Sequence, residues 1–190
     1  MLWTRRDLNC DHEVGAGPAS SPTLVGNNVV VHVDGRDVQY IIALDKFTGK
    51  TAWKTPRSLD YSKIPVHHRK AYCMPTLAPR GEGKQLVSPA GRGLYAYDPE
   101  TGKELWHVRH RGGAVAPRPV SGHGLVFATV DRDRPELWAI RLNGNGDVTD
   151  THIKWKSIRS MPQRCSPLLV DDLLLSLIHI SEPTRRYAIG

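Results

Sequence analysis

Four groups of residues in this 190-residue sequence have types and spacing suited to chemistry. Cys10-Asp11-His12 puts a thiol, a carboxylate and an imidazole in three consecutive positions, which could form an edge of a nucleophile or metal site. His67-His68 offers two imidazoles, but neighbouring side chains on an extended segment diverge, and surface imidazoles are the simpler reading. Asn143-Gly144-Asn145-Gly146-Asp147 sets oxygen ligands on alternate residues, faintly like a calcium loop. It lacks the downstream bidentate Glu, with only Asp150 following, and an Asn/Gly-rich hairpin turn is the simpler reading. The fourth group consists of His67, Arg69, Arg92, Arg111, Arg118 and Arg132. Guanidinium forks suit carboxylate, phosphate or sulfate, so these six residues form the candidate ligand face. The competing reading is a solvated loop face whose charges pair locally, as Asp131 with Arg134. No catalytic residue and no metal ligand is assigned.

Composition narrows the classes. The formal net charge of +7 favours an anionic partner, but charge bears on attraction and solubility rather than fold. There is no Lys/Arg block and no interleaving of basic and aromatic residues, so nucleic-acid binding is not expected. Cys10, Cys73 and Cys165 make no CxxC and no vicinal pair, and an odd count leaves at least one thiol unpaired. A hydrophobic fraction of 39% argues against disorder. The apolar run from Leu173 is too short to span a membrane and follows Asp171-Asp172.

The elements that would position these groups are written in a repeat. Ala43-Leu44-Asp45-Lys46-Phe47-Thr48-Gly49-Lys50-Thr51-Ala52-Trp53 and Ala96-Tyr97-Asp98-Pro99-Glu100-Thr101-Gly102-Lys103-Glu104-Leu105-Trp106 both fit AxDxxTGxxxW, 53 residues apart. The Asp (Asp45, Asp98) accepts turn N–H groups. Thr48 and Thr101 precede a Gly (Gly49, Gly102) that supplies a positive φ, and the Trp (Trp53, Trp106) packs on a neighbouring sheet. Trp3, Trp53, Trp106 and Trp155 recur at 50, 53 and 49 residues. Ser21-Pro22-Thr23, Met74-Pro75-Thr76, Arg118-Pro119-Val120 and Ser166-Pro167-Leu168 open the apolar stretch of each unit. Strands are expected at 22–25, 28–33, 39–45 and 51–55; at 75–78, 85–88, 93–98 and 103–108; and at 118–121, 124–130, 136–142 and 152–157.

Four short strands per unit, without helical periodicity, predict an all-β fold: a partial β-propeller of about three four-stranded antiparallel blades with fragments of two flanking blades. The blades are expected at 21–57, 74–110 and 117–158, with flanking fragments at 1–10 and 166–174. Leu175 to Arg185 resembles the in-frame translation of a sequencing-library adapter, so 175–190 is expected to be a non-native tail and both ends are expected to be cuts. Because strands alternate in direction, loops joining second to third strands share a face with the loops between blades. That face holds the Arg/His set, and the Thr-Gly turns lie on the opposite one.

The repeat motif resembles the pyrroloquinoline-quinone-like, or quinoprotein-type, propeller family. Two blades match fully; the third replaces the turn with the longer Leu142-to-Asp150 segment yet still reaches Trp155. The resemblance implies a periplasmic or secreted protein, although no apolar leader follows Met1. It also implies a non-catalytic module that binds a protein or anionic ligand or serves as scaffold, with no cofactor expected. The alternative the resemblance carries is a piece of a quinone-dependent dehydrogenase. That branch would bring PQQ and calcium, a catalytic Asp and a vicinal disulfide, and the vicinal pair is absent.

Overall fold

The computed structural model describes residues 2–12, 20–158, 164–176 and 185–188; only the outer parts of the expected C-terminal tail at 175–176 and 185–188 fall among them. Three antiparallel blades follow one another. The first holds β1 (Thr23–Val25), β2 (Asn28–Asp34), β3 (Gln39–Asp45) and β4 (Thr51–Pro56) in sequence order. The second holds β5 (Thr76–Arg80), β6 (Gly83–Ala90), β7 (Gly93–Tyr97) and β8 (Glu104–Arg109). The third starts with β9 (Val120–Gly122), β10 (Leu125–Val130) and β11 (Glu136–Arg141). After the short β12 (Gly146–Asp147) it closes with β13 (Ile153–Ser157). A further sheet pairs β14 (Leu168–Val170), β15 (Leu173–Ser176) and β16 (Arg185–Ala188), so the described part of the tail is paired as strand. No α-helix occurs among the described residues.

The core lies between blades rather than within them. Val30, Ile41 and Ala43 of the first blade pack on Leu86, Tyr95 and Tyr97 of the second. Val87, Leu94 and Trp106 pack on Val126, Trp138 and Ile140 of the third. Each third strand has a register shift after its Ala (Ala43, Ala96, Ala139), and each Ala faces the Trp of the fourth strand (Trp53, Trp106, Trp155). The small side chain opposite the indole gives the ring room to lean onto the next blade.

The Asp-Thr-Gly turns receive the indoles of Trp3 and Trp53 from the preceding units. Asp45 Oδ1 accepts Phe47 N, Thr48 N and the Thr48 hydroxyl, and Asp98 Oδ1 repeats the set with Glu100 N, Thr101 N and Thr101 Oγ1. The Thr48 hydroxyl and N–H hold the Asp45 carboxyl below its usual pKa. Trp3 Nε1 donates to Lys46 O at 2.9 Å and Trp53 Nε1 to Pro99 O at 3.3 Å, the same turn position one blade on. Gly49 and Gly102 have φ of 69° and 72°, and a Cβ on either would run into the docked indole. Replacing Gly102 with alanine therefore combines a left-handed non-glycine residue with overpacking. The expected cost is about 2–4 kcal/mol in urea unfolding; a loss below about 0.5 kcal/mol, the range of a neutral surface change, would refute the docking account.

The third blade solves the same problem differently. Trp106 is fully buried and donates to Gln85 Oε1 at 2.7 Å, beside Gly144. The segment expected to be a simple hairpin turn instead extends onto the second blade. Its β12 pairs parallel with Trp106 and His107, Val148 is buried, and Asp147 meets Arg109 at 2.7 Å. Without the Asp-Thr-Gly turn, a longer segment with a hydrophobic anchor covers the outer edge of β8.

Candidate binding face

Beneath the loops between the first two blades lies a buried ion pair. Asp34 ends β2 and Arg57 follows β4, and both side chains are 0% exposed. Arg57 Nη2 meets Asp34 Oδ2 at 2.8 Å and Nε meets Oδ1 at 3.2 Å. Its remaining donors reach Tyr97 Oη at 3.1 Å and Ser88 Oγ at 2.9 Å, and the guanidinium lies 5.1 Å from the Tyr95 ring. Burial opposes the charge on Arg57, but the Asp34 carboxylate together with Tyr97 and Tyr61 outweighs it, and the pKa stands well above the ordinary arginine value. Arg57 was not among the sequence candidates. Its signal is faint: a lone arginine after a strand, one blade away from two tyrosines.

The loops above are knitted by backbone. Arg92 adopts φ 64°. It is clamped because its N–H donates to Gly112 O and its carbonyl accepts His110 N. Ala114 N donates to Lys70 O, and Arg132 N to Gly113 O. The Tyr61 hydroxyl pins the 57–73 connection to Gly91 O at 2.6 Å. Thr23 Oγ1 donates to Pro75 O, Thr76 Oγ1 to Pro119 O, and Ser166 Oγ accepts Arg118 N. The Pro-containing markers of the repeat thus tie each innermost strand to the next.

The six candidate residues take different parts in this floor. Arg69 is spent on backbone carbonyls, donating to Ile64 O and Ser62 O of its own loop and to Arg36 O between β2 and β3. Arg92 Nη2 donates to His68 Nδ1 at 2.7 Å; burial first, then Arg92 and His67, lower the His68 pKa. His67 is exposed, and its ring lies 4.2 Å edge-on to that of His68. The expected divergence fails because Val66–His68 form a 3-10 turn, not a strand. Arg118 Nε donates to Thr76 Oγ1 at 2.9 Å. Arg132 pairs with Asp133 at 3.0 Å, rather than Asp131 with Arg134. Arg111 is exposed and lines a cleft of about 430 Å³ with Arg109, Lys156, Asp131, Glu136 and Trp138. Both signs of charge meet there beside an aromatic ring.

Two other sequence candidates resolve chemically. Cys10 Sγ and His12 Nε2 stand 2.9 Å apart. Burial, then the charges of Asp37, Asp34 and Asp11, push the thiol up to about 11, so the sulfur beside the imidazole is a thiol without thiolate character. Among the described residues no three His, Cys, Asp or Glu side chains converge. No helix among the described residues is long and apolar enough to cross a membrane.

A family model described as outer membrane protein assembly factor BamB matches residues 74–175, more than half of the chain. A search of curated proteins returns no match. Among solved structures, BamB from Moraxella catarrhalis superposes with a TM-score of 0.57 at 11% identity, over 83% of this chain and 46% of that one. A europium-containing methanol dehydrogenase gives 0.55 at 18% identity, over 78% of this chain and 26% of that one. The quinohemoprotein alcohol dehydrogenase from Comamonas testosteroni gives 0.55 at 19%, over 79% and 22%. This chain spans under half of the BamB chain and about a quarter of each dehydrogenase, and at these identities the likeness shows the fold alone. With the blade repeat, the docked tryptophans and the family match together, the chain belongs to the PQQ-like repeat propellers of the family described as outer membrane protein assembly factor BamB.

Proposed function

We propose that this chain is part of a non-catalytic, extracytoplasmic propeller that binds an acidic segment of a protein partner on its loop face. The observation that carries the reading is the cleft where Arg109, Arg111 and Lys156 surround Trp138 on a floor held by backbone bonds. Arginine and tryptophan on a preorganised surface are the residue types that anchor protein interfaces. Asp131 and Glu136 in the same cleft favour a polar peptide segment over a simple anion. The description of the matching family as an assembly factor supports a partner-binding role.

Retention on a heparin column, a polyanionic surrogate, tests the face. The variant Arg111→Ala/Arg118→Ala/Arg132→Ala is expected to elute at clearly lower salt than the parent. A charge-matched variant on the opposite face, Lys46→Ala/Lys50→Ala/Lys103→Ala, is expected to elute like the parent. Equal shifts in the two variants would reduce the effect to net charge and overturn the loop-face reading.

A further inference from the structure

A second cleft opens on the other face, between the second and third blades. It holds about 730 Å³ and is lined by Arg80, His123, Arg141 and Lys154, with Leu125 and Asn143 among its other walls and no carboxylate in the lining. One blade earlier, the repeat forms a cleft of about 640 Å³ at the corresponding place, lined by Val25, Asn28, Lys84, Asp98 and Glu100 among others. Two clefts built by the same repeat thus carry opposite character.

The strand registers make the comparison residue by residue. Val25, Arg80 and Gly122 each close the first hairpin of their blade, so Arg80 stands where the first blade has Val25. His123 follows Gly122 as Gly81 follows Arg80. Ala96 faces Trp106 and Ala139 faces Trp155, which sets Arg141 where the second blade has Asp98, Asn143 where it has Glu100, and Lys154 where it has Leu105. Every basic residue of the cleft replaces a neutral or acidic one, and both acids are gone. Loss of the Asp-Thr-Gly turn in the third blade is accompanied by a change of sign.

The basic groups are also held in place. Arg80 Nη1 donates to Gly144 O at 2.9 Å, which fixes its fork against the long turn of the third blade. Arg141 Nη1 donates to Thr151 O at 3.2 Å. Both anchors are neutral carbonyls, which leave the guanidinium charge uncompensated. His123 sits at φ 54° in the tip of its hairpin and donates from Nε2 to Asp171 O at 2.9 Å. The nearest acid to it, Asp172, is 3.5 Å from the same nitrogen and 83% exposed.

We infer that this cleft is a binding site for a compact multivalent anion, a small molecule bearing phosphate or several carboxylates, separate from the loop face. Two guanidinium forks with spare donors, converging with a lysine and a histidine at the mouth of one cleft, match the oxygen-rich surface of such a ligand.

Calorimetric titration of the intact chain with inorganic pyrophosphate and with citrate tests this, with chloride at equal ionic strength as background. Saturable binding of one or both probes is expected, and the stronger one identifies the headgroup chemistry. Arg141→Asp, which restores the acid of the preceding repeat, is expected to weaken binding by about tenfold or more. Arg141→Ala, with its circular dichroism compared with the parent, gives the same direction without a new charge. The loop-face triple variant is expected to bind both probes like the parent, which separates this site from the proposed function. Absence of saturable heat with either probe, or affinity unchanged in Arg141→Asp, would overturn the inference.

Discussion

Replacing Asp34 alone with alanine is expected to cost about 3–5 kcal/mol of stability, more than any surface substitution on the chain. The reason is what remains rather than what is lost. Arg57 is fully enclosed, its side chain 0% exposed, and Asp34 is the acid that meets its guanidinium. Tyr97 Oη and Ser88 Oγ solvate two of its donors but carry no charge. Without the carboxylate, the fold must keep an uncompensated cation between two tyrosine rings or open the first blade away from the second. Arg57→Met leaves the opposite charge uncompensated and is expected to cost a similar amount. The double variant Asp34→Ala/Arg57→Met removes both charges and is expected to recover much of the loss, because a buried pair stabilises little relative to an apolar replacement. Urea unfolding of the four proteins gives the coupling directly. Strict additivity would show that the two side chains do not act as a pair in solution.

The pair also marks the boundary of what the sequence discloses. The blades were legible because their signals are local: an apolar run, an Asp and Gly at fixed spacing, then a Trp. The Asp and Gly act within one turn and the Trp recurs at a fixed distance from them, and the observed β1 to β11 and β13 fall within about two residues of the expected strands. Apart from the repeated Trp, interactions between blades leave no such trace. Arg57 finds Asp34, Ser88 and Tyr97 across 23, 31 and 40 residues. Gln85 receives Trp106 in the role a turn carbonyl plays elsewhere. The clasp from Gly146 to Val148 was hidden for a similar reason. Its Asn/Gly content resembles an ordinary turn, and only the third dimension shows the edge of β8 it covers. The basic cleft is hidden for a different reason: its members Arg80, His123, Arg141 and Lys154 come from four separate segments of two blades. Lining up equivalent positions between repeats, as Asp98 against Arg141, is the sequence operation that exposes it.

Lowering the pH from 7 to 4 is expected to remove roughly 3 kcal/mol of stability for each of two histidines, His32 and His110. Both are fully buried, and desolvation of the charged ring is the first cause that brings each pKa down to about 4. Around His32, Asp34 and the Ala71 backbone favour protonation and Arg57 opposes it. Asp131 and the Gly93 backbone favour a charged His110, and Arg92 and His68 oppose it. His110 Nδ1 also accepts Gly112 N at 3.2 Å, a bond that requires the ring nitrogen to be free of a proton. In the unfolded chain both rings titrate near 6.5, so below that pH the unfolded state takes up protons that the folded state refuses. Stability is therefore complete above about pH 6.5 and falls until the folded rings protonate near 4. The carboxylates of Asp45, Asp98 and Asp147 have pKa values below the ordinary 3.8, so their contribution is lost only at still lower pH. The two windows separate the causes. In urea unfolding across pH 7 to 4, His32→Asn/His110→Asn is expected to start from a lower stability and to show little slope. A parent-like slope in that double variant would assign the acid lability to other groups and contradict the burial of these two rings between the blades.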